Sequence, residues 1–444
     1  MRKTTFALIV LVFFAVGALA QNPLIMDEFT ADPSARVFDD KVYIYPSHDI
    51  RKDSGRFANW FCMEDYHVYS SENLTQWEDH GVILSQYDVP WVDASTFSMW
   101  APDCIEKDGK YYFYFPATAK DKTEGRGRRV GVAVADSPTG PFVPEENPME
   151  GVFGIDPNPF IDTDGQAYLY WGGGEKLYVA RLKDNMLELA TEPQLVLELP
   201  PKFKEGPYLF ERQGKYYFTF PHVPKTTERL VYAMGDSPMG PFEFKGLIME
   251  ESPVECWTNH HSIIEYRDQW YLFYHHNDLS PDFDKNRSIK SDSLFFNADG
   301  TIQQVVPTLR GVGISPAASK IQVDRYSSAE GEKISYEFVD GSNPHKGWKV
   351  NLPQNGNLIS YNKVDFGTDG YETIIVKASA VNDGEFEIRL DAPDGNVVAN
   401  ASISGSDELK TESFSLSEQP KGMHDIYLIN TGDSELTFDW IQFK

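Results

Sequence analysis

Three acids recur in phase along the first half of this chain. Asp32, Asp156 and Glu205 each stand eleven or twelve residues ahead of a tyrosine in an aromatic run, namely Tyr43, Tyr168 and Tyr217. Two further runs, centred on Tyr112 and Tyr271, carry Trp100 and His260 at the matching place. Carboxyls gathered at one point can divide acid–base work. One keeps a proton for a leaving oxygen, one stays ionised to activate water, and a third tunes the first by like-charge repulsion. Taken singly, each acid has a plainer explanation, because Asp-Pro is common in turns and a lone surface Asp is normally just solvated. Their shared phase is what makes them a candidate site.

The elements that must position them follow from the same repeat. The aromatic runs are Lys-Val-Tyr-Ile-Tyr, Lys-Tyr-Tyr-Phe-Tyr, Gln-Ala-Tyr-Leu-Tyr, Lys-Tyr-Tyr-Phe-Thr and Gln-Trp-Tyr-Leu-Phe. Each follows a pair of turn residues: Asp39-Asp40, Asp108-Gly109, Asp164-Gly165, Gln213-Gly214 and Arg267-Asp268. Such pairs join antiparallel strands. A second marker, Asp136-Ser-Pro-Thr-Gly-Pro-Phe142, returns as Asp236-Ser-Pro-Met-Gly-Pro-Phe242. Units of roughly fifty residues, each long enough for four short strands, predict a β-propeller, here of five blades over residues 21–322. A sandwich with coincidental hairpins would not repeat two markers in phase. In a propeller the innermost strands line a central channel, so the five in-phase positions would face one funnel. A Pro just after Asp32 and Asp156, and at Glu205-Gly206-Pro207, would hold the strand heads rigid.

Composition sets the surroundings. The 33 Gly and 28 Pro scattered among short aromatic and β-branched runs indicate an all-β protein. A formal charge of −27 argues against nucleic acid, an anionic membrane or an acidic polymer as partner and favours a neutral substrate. Three cysteines, Cys62, Cys104 and Cys256, exclude a fully paired disulfide scaffold and are expected as small buried hydrophobes. Arg2 and Lys3, the apolar stretch Phe6 to Val16 and Ala18-Leu19-Ala20 form a cleavable signal peptide over residues 1–20. The apolar stretch is short for a membrane span, so an exported or periplasmic protein without membrane insertion is expected. After Gln322 the composition shifts toward Ser, Asn, Asp and Gly with alternating strands, predicting a β-sandwich over 323–444, with Asp324 to Lys333 as the linker.

Crowded carboxyls with a neutral substrate suit hydrolysis of a glycosidic bond. Asp156 lies in the blade next to that of Glu205, which makes it the tuner, Glu205 the general acid and Asp32 the general base across the channel. A gap between acid and base wide enough for water, roughly 6.5–9.5 Å, would invert the anomeric centre.

The motifs Ala31-Asp32-Pro33-Ser34, Trp100-Ala101-Pro102-Asp103, Ile155-Asp156-Pro157-Asn158-Pro159-Phe160, Glu205-Gly206-Pro207 and His260-His261-Ser262, in this order, resemble glycoside hydrolase family 43. The resemblance implies a five-bladed propeller, inversion, the three acid roles, and α-L-arabinofuranosides or β-xylosides of plant cell-wall polysaccharide as substrates. It further implies that His260 holds an axial calcium ion largely through water. Arg287 becomes a sugar-contacting residue and Trp100 a platform stacked on a sugar face. Read from the residues alone, His260 is a satisfied channel histidine, Arg287 a loop arginine and Trp100 core filler. Loops His48–Glu64 and Lys120–Arg129 are expected to shape the channel mouth.

The segments Asn355–Tyr361, Val364–Gly367, Ile388–Asp391 and Phe438–Phe443 resemble a family 6 carbohydrate-binding module. Its cleft commonly carries a Trp that the stretch Ser404 to Phe414 lacks, so sugar binding and plain structural docking both stay open. Two rival functions are also defined. A retaining fructosidase-like propeller would use the Glu255-Cys256 pair, which falls in the wrong blade. A non-catalytic sugar-binding propeller would not need all three acids.

Overall fold

The computed structural model describes residues 22–444 apart from 53, 124, 174, 197–202 and 204. The expected signal peptide lies outside the described residues. Five antiparallel sheets follow one another along the chain, four with four strands and the fifth with three. Their innermost strands are Thr30–Phe38, Asp103–Lys107, Ile155–Ile161, Tyr208–Arg212 and His261–Tyr266. Two six-stranded sheets then form the C-terminal sandwich.

Each aromatic run is the second strand of its blade, hairpinned to the innermost one. Tyr43, Tyr112, Tyr168, Tyr217 and Tyr271 sit opposite Arg36, Ile105, Phe160, Phe210 and Ile264. In four blades both turn residues have positive φ (48° and 58° at Asp39-Asp40, 54° and 76° at Gln213-Gly214), the geometry whose twist suits a tight hairpin. The second strands are buried on both faces. Phe113, Phe115, Tyr170, Phe218, Phe220 and Tyr274 are among the largest fully buried side chains. The duplicated marker has a packing role. The Tyr45 hydroxyl of the first blade donates to the Pro138 carbonyl of the second at 2.7 Å, and Tyr170 of the third does the same to Pro238 of the fourth.

The fifth blade departs from the expected four strands. Its outer edge, Ser288–Leu294, is met by the start of the described chain, where Leu24 N–H donates to Ile289 O at 2.8 Å and Ser291 N–H to Asn22 Oδ1 at 2.8 Å. Leu24 and Ile25 pack with Ile264 and Ile289 in one apolar cluster. Residues 22–25 thus close the ring on the last blade.

The boundary at 322/323 and the linker Asp324–Lys333 require correction. Ser315–Pro316 already pairs with Leu358–Asp365, and Ile321–Gln322 with Leu436–Phe443, so the sandwich takes up chain before 323. The supposed linker is built into the fold. Asp324 and Arg325 form a buried ion pair at 2.9 Å, and Ser328–Glu330 pairs with Leu358–Asp365. The sandwich also touches the propeller, with His345 5.3 Å from Phe29, ring to ring, and Arg310 Nη2 donating to Asn362 O at 2.8 Å.

Candidate active site

All five in-phase positions lie at the heads of the innermost strands. Asp32 and Asp156 fall inside Thr30–Phe38 and Ile155–Ile161, while Trp100, Glu205 and His260 stand just before theirs. They line one cavity of about 170 Å³. Arg287 joins them from the edge of Ser288–Leu294.

The two Asp-Pro acids share a device that sequence reading did not foresee. Both have positive φ, 48° at Asp32 and 56° at Asp156, and both sit where pairing to the second strand slips register. A bulge re-aims a side chain out of the alternation of a strand. A non-glycine residue in the left-handed region costs about 1–3 kcal/mol, which the surrounding packing must offset. Glu205 reaches the cavity through Gly206, whose φ is 63°. A Cβ on Gly206 would meet Pro221 at 3.0 Å and His260 Nδ1 at 3.2 Å, so the close approach needs glycine.

The electrostatics separate the acids. Asp32 is buried, which raises its pKa, but Arg287 first, then His275 and His260, with Ser47 donating at 2.7 Å, together outweigh burial and bring it to about 2. Its own N–H donates to His275 Nδ1 at 2.9 Å. Burial holds His275 far below the ordinary imidazole range, so the ring is neutral and can accept. Asp156 is pushed the other way. Burial, then the charges of Glu205 and Asp32, raise it well above the carboxylate range despite a 2.9 Å hydrogen bond from Gly206 N–H. Asp32 is therefore ionised, whereas Asp156 resists ionising beside Glu205. That is an arrangement for moving protons.

Beneath the acids lies a second layer of polar contacts. Asp103 accepts from Arg36 Nε at 2.9 Å, from Asn158 Nδ2 at 2.7 Å and from Ser34, and Asn158 Oδ1 takes the N–H of Leu209 at 2.9 Å. Four innermost strands are cross-linked directly below the site. Walls come from the loops expected to shape the mouth, which contribute Trp60, Phe61 and Arg128 to the cavity, together with Trp257 before the fifth blade.

Profile comparison matches residues 20–302 to Glycosyl hydrolases family 43. The chain belongs to glycosyl hydrolases family 43. Residues 325–444 match Carbohydrate binding module (family 6). The chain is 40% identical over 330 residues to Xylosidase/arabinosidase 43A of Humicola insolens, covering 63% of this chain and 98% of that one. A family 43 β-xylosidase/α-arabinofuranosidase from a compost microbial metagenome, solved with xylotriose in a calcium-free form, superposes with TM-score 0.59 at 39% identity, over 65% of this chain and 98% of that one. A family 43 arabinoxylan arabinofuranohydrolase of Bacillus subtilis, in complex with cellotetraose, spans both domains. It covers 96% of this chain and 99% of that one at TM-score 0.56 and 25% identity.

As a family 43 enzyme the chain is a glycosidase, and its structure bears on the remaining expectations. Trp100 lines the cavity under the guanidinium of Arg128, whose carbon is 5.5 Å from the ring. Arg287 reaches the cavity as expected, but its guanidinium is committed to Asp32 and Asp49 and lies 4.9 Å over the Phe61 ring. Asp49, His275 and Thr258 were missed because they obey no repeat. Asp49 could have been found only as an acid placed to face Arg287.

His260 reaches the cavity, and burial holds it below its ordinary pKa. Calcium takes six to eight oxygen ligands. Among the described residues, side-chain trios able to ligate one ion do not include His260. A calcium ion at His260 would therefore draw most of its ligands from water. Glu255, the acid of the fructosidase-like alternative, is exposed and apart from the cavity, while its neighbour Cys256 is fully buried. All three cysteines are free and buried.

Proposed function

We infer that this enzyme removes single xylose or arabinofuranose residues from xylan- or arabinoxylan-type oligosaccharides, with inversion. The union of Asp32, Asp156 and Glu205 in one cavity, with Asp32 at about 2 and Asp156 far above the carboxylate range, carries this reading. Asp32 acts as general base on water, Glu205 protonates the leaving oxygen, and Asp156 raises and orients Glu205. The cavity volume supports removal of one ring at a time. About 170 Å³ is small against the roughly 300–1,000 Å³ of sites for drug-sized ligands. Trp100 offers the ring a stacking face, and Arg287, its guanidinium taken up by Asp32 and Asp49, fixes the charge of the base. The first twenty residues support export of the mature protein, which N-terminal sequencing of secreted material would check.

The decisive experiment follows the anomeric proton of the first-formed sugar by NMR during hydrolysis of nitrophenyl xyloside and arabinofuranoside. The opposite anomer appearing first is expected. Retention would end the assignment of Asp32 as base.

A further inference from the structure

Outside the cavity, the first blade gathers ligands in a way that catalysis does not use. His48 ends the strand Lys41–His48, and Asp65, His67 and Tyr69 alternate along Asp65–Ser71, so the last three share a face. Ligand atoms of His48, Asp65 and His67 all lie within 4.8 Å of one another. A second trio, Glu28, His67 and Asp79, meets the same limit and shares His67. His48 Nδ1 is 2.7 Å from Asp65 Oδ1, and His67 Nδ1 is 3.1 Å from Asp79 Oδ1. The two imidazoles stand edge to face with centroids 5.1 Å apart.

Charge and access both favour a guest. Three carboxylates surround two imidazoles, and among the described residues no lysine or arginine pairs with Glu28, Asp65 or Asp79. A divalent cation would supply the missing positive charge. The His48 and Asp65 side chains are 20% and 17% exposed, enough for an ion to reach them yet partly dry. Two ring nitrogens and a carboxylate suit zinc far better than calcium or magnesium, which want oxygen.

The geometry points to a zinc-type divalent metal site at His48, Asp65 and His67, completed by water. Asp79 holds His67 Nδ1 and so presents the other ring nitrogen to the ion, as a carboxylate partner does for a metal-ligating histidine. The 2.7 Å between His48 Nδ1 and Asp65 Oδ1 now spans a hydrogen bond. Exchanging it for an ion needs an opening to about 3.3 Å, the edge of a tetrahedron with ~2.0 Å bonds. The neighbouring Asp49 grips Arg287, so the ion would pin the strand end that leads to the catalytic base.

The test strips the full-length protein with chelator and titrates it calorimetrically with zinc chloride, with melting temperature as second readout. One equivalent should bind, and the protein should melt higher with zinc. His67→Gln and His48→Gln should each weaken binding about 100-fold or more, and Asp79→Asn roughly 10–100-fold. His48 is partly exposed, so its variant remains informative should His67→Gln misfold. His260→Gln should bind zinc unchanged. Absence of binding by the unmutated protein, undiminished binding by His48→Gln, or loss of binding in His260→Gln would each overturn the site.

Discussion

Arg287 grips both oxygens of Asp32, Nη1 to Oδ1 at 2.8 Å and Nη2 to Oδ2 at 3.2 Å, while Nε and Nη2 hold Asp49 at 2.9 Å each. One buried cation thus serves two buried carboxylates. It keeps the first ionised in a place where burial alone would protonate it. Asp49 meets the same guanidinium and is still raised by burial, which marks Asp32 as the carboxylate the arrangement favours.

The pH consequence follows from the sign of the shift. A base must be ionised, and Asp32 at about 2 is ionised throughout the mildly acidic range. In Arg287→Met, burial is opposed only weakly and the pKa of Asp32 rises. The acid limb of kcat/KM should then move to higher pH by about one unit or more. An unmoved limb would show that this guanidinium does not set the charge of the base.

The same substitution should destabilise the fold. Removing one partner of a buried ion pair leaves an uncompensated charge and costs about 3–5 kcal/mol. Arg287→Met therefore lowers the urea midpoint markedly, and adding Asp49→Asn should restore part of the loss. The folded-state pKa of Asp32 is depressed, so its contribution to stability is present above the unfolded carboxylate pKa and is lost as pH falls through about 2. Urea titrations of single and double variants at pH 7 check this. Additive effects would mean that the two residues do not communicate.

How much of this was legible in the chain depends on whether a residue belonged to the repeat. Asp32, Trp100, Asp156, Glu205 and His260 could be placed in one funnel because each occupies the same phase, and phase becomes geometry when blades are equivalent. The bulges at Asp32 and Asp156 were not legible, because a following Pro favours extended, negative-φ backbone, the opposite of the positive φ both residues adopt. Asp49 and His275 were invisible for a related reason. They answer to Arg287 and to the backbone of Asp32, partners distant in sequence. The error at 324–333 came from judging a segment by polarity, when Asp324 and Arg325 are polar residues buried by pairing with each other.

Below the site, Asp103 offers a stability test free of catalytic chemistry. Its carboxylate neutralises Arg36, which burial would otherwise penalise, and gathers Asn158 and Ser34. Asp103→Ala leaves the buried guanidinium with no carboxylate, only the Pro159 carbonyl 3.0 Å from Nη2 and the Tyr208 ring 5.4 Å from its carbon. About 3–5 kcal/mol of stability should be lost. Calorimetric melting would record this, and a change within ±0.5 kcal/mol, the range of ordinary surface substitutions, would contradict the bracing role.

Glu205 can be tested by varying the leaving group. Glu205→Gln keeps shape but cannot give a proton, so turnover of a xyloside with a poor leaving group should fall by roughly 10²–10⁴. A dinitrophenyl leaving group departs without protonation, and its rate should fall far less. Asp32→Asn should depress both substrates alike, because water must be activated whichever group leaves. Equal losses for both substrates in Glu205→Gln would remove the residue from the acid role.

Asp156 acts on the other limb. Beside Glu205 it forms a pair of carboxyls that resist double ionisation, so the last proton leaves at a pH above that of either group alone. Asp156→Asn removes the repulsion. Glu205 then ionises earlier, and since an acid works only while protonated, the alkaline limb of kcat/KM should move to lower pH. The Gly206 N–H, which now donates to Asp156 Oδ2 at 2.9 Å, can still donate to the amide oxygen of Asn, so the approach of Glu205 is preserved. The shift should therefore appear in the profile while the KM for nitrophenyl xyloside changes little. A large rise in KM with the alkaline limb unmoved would instead assign Asp156 to substrate positioning.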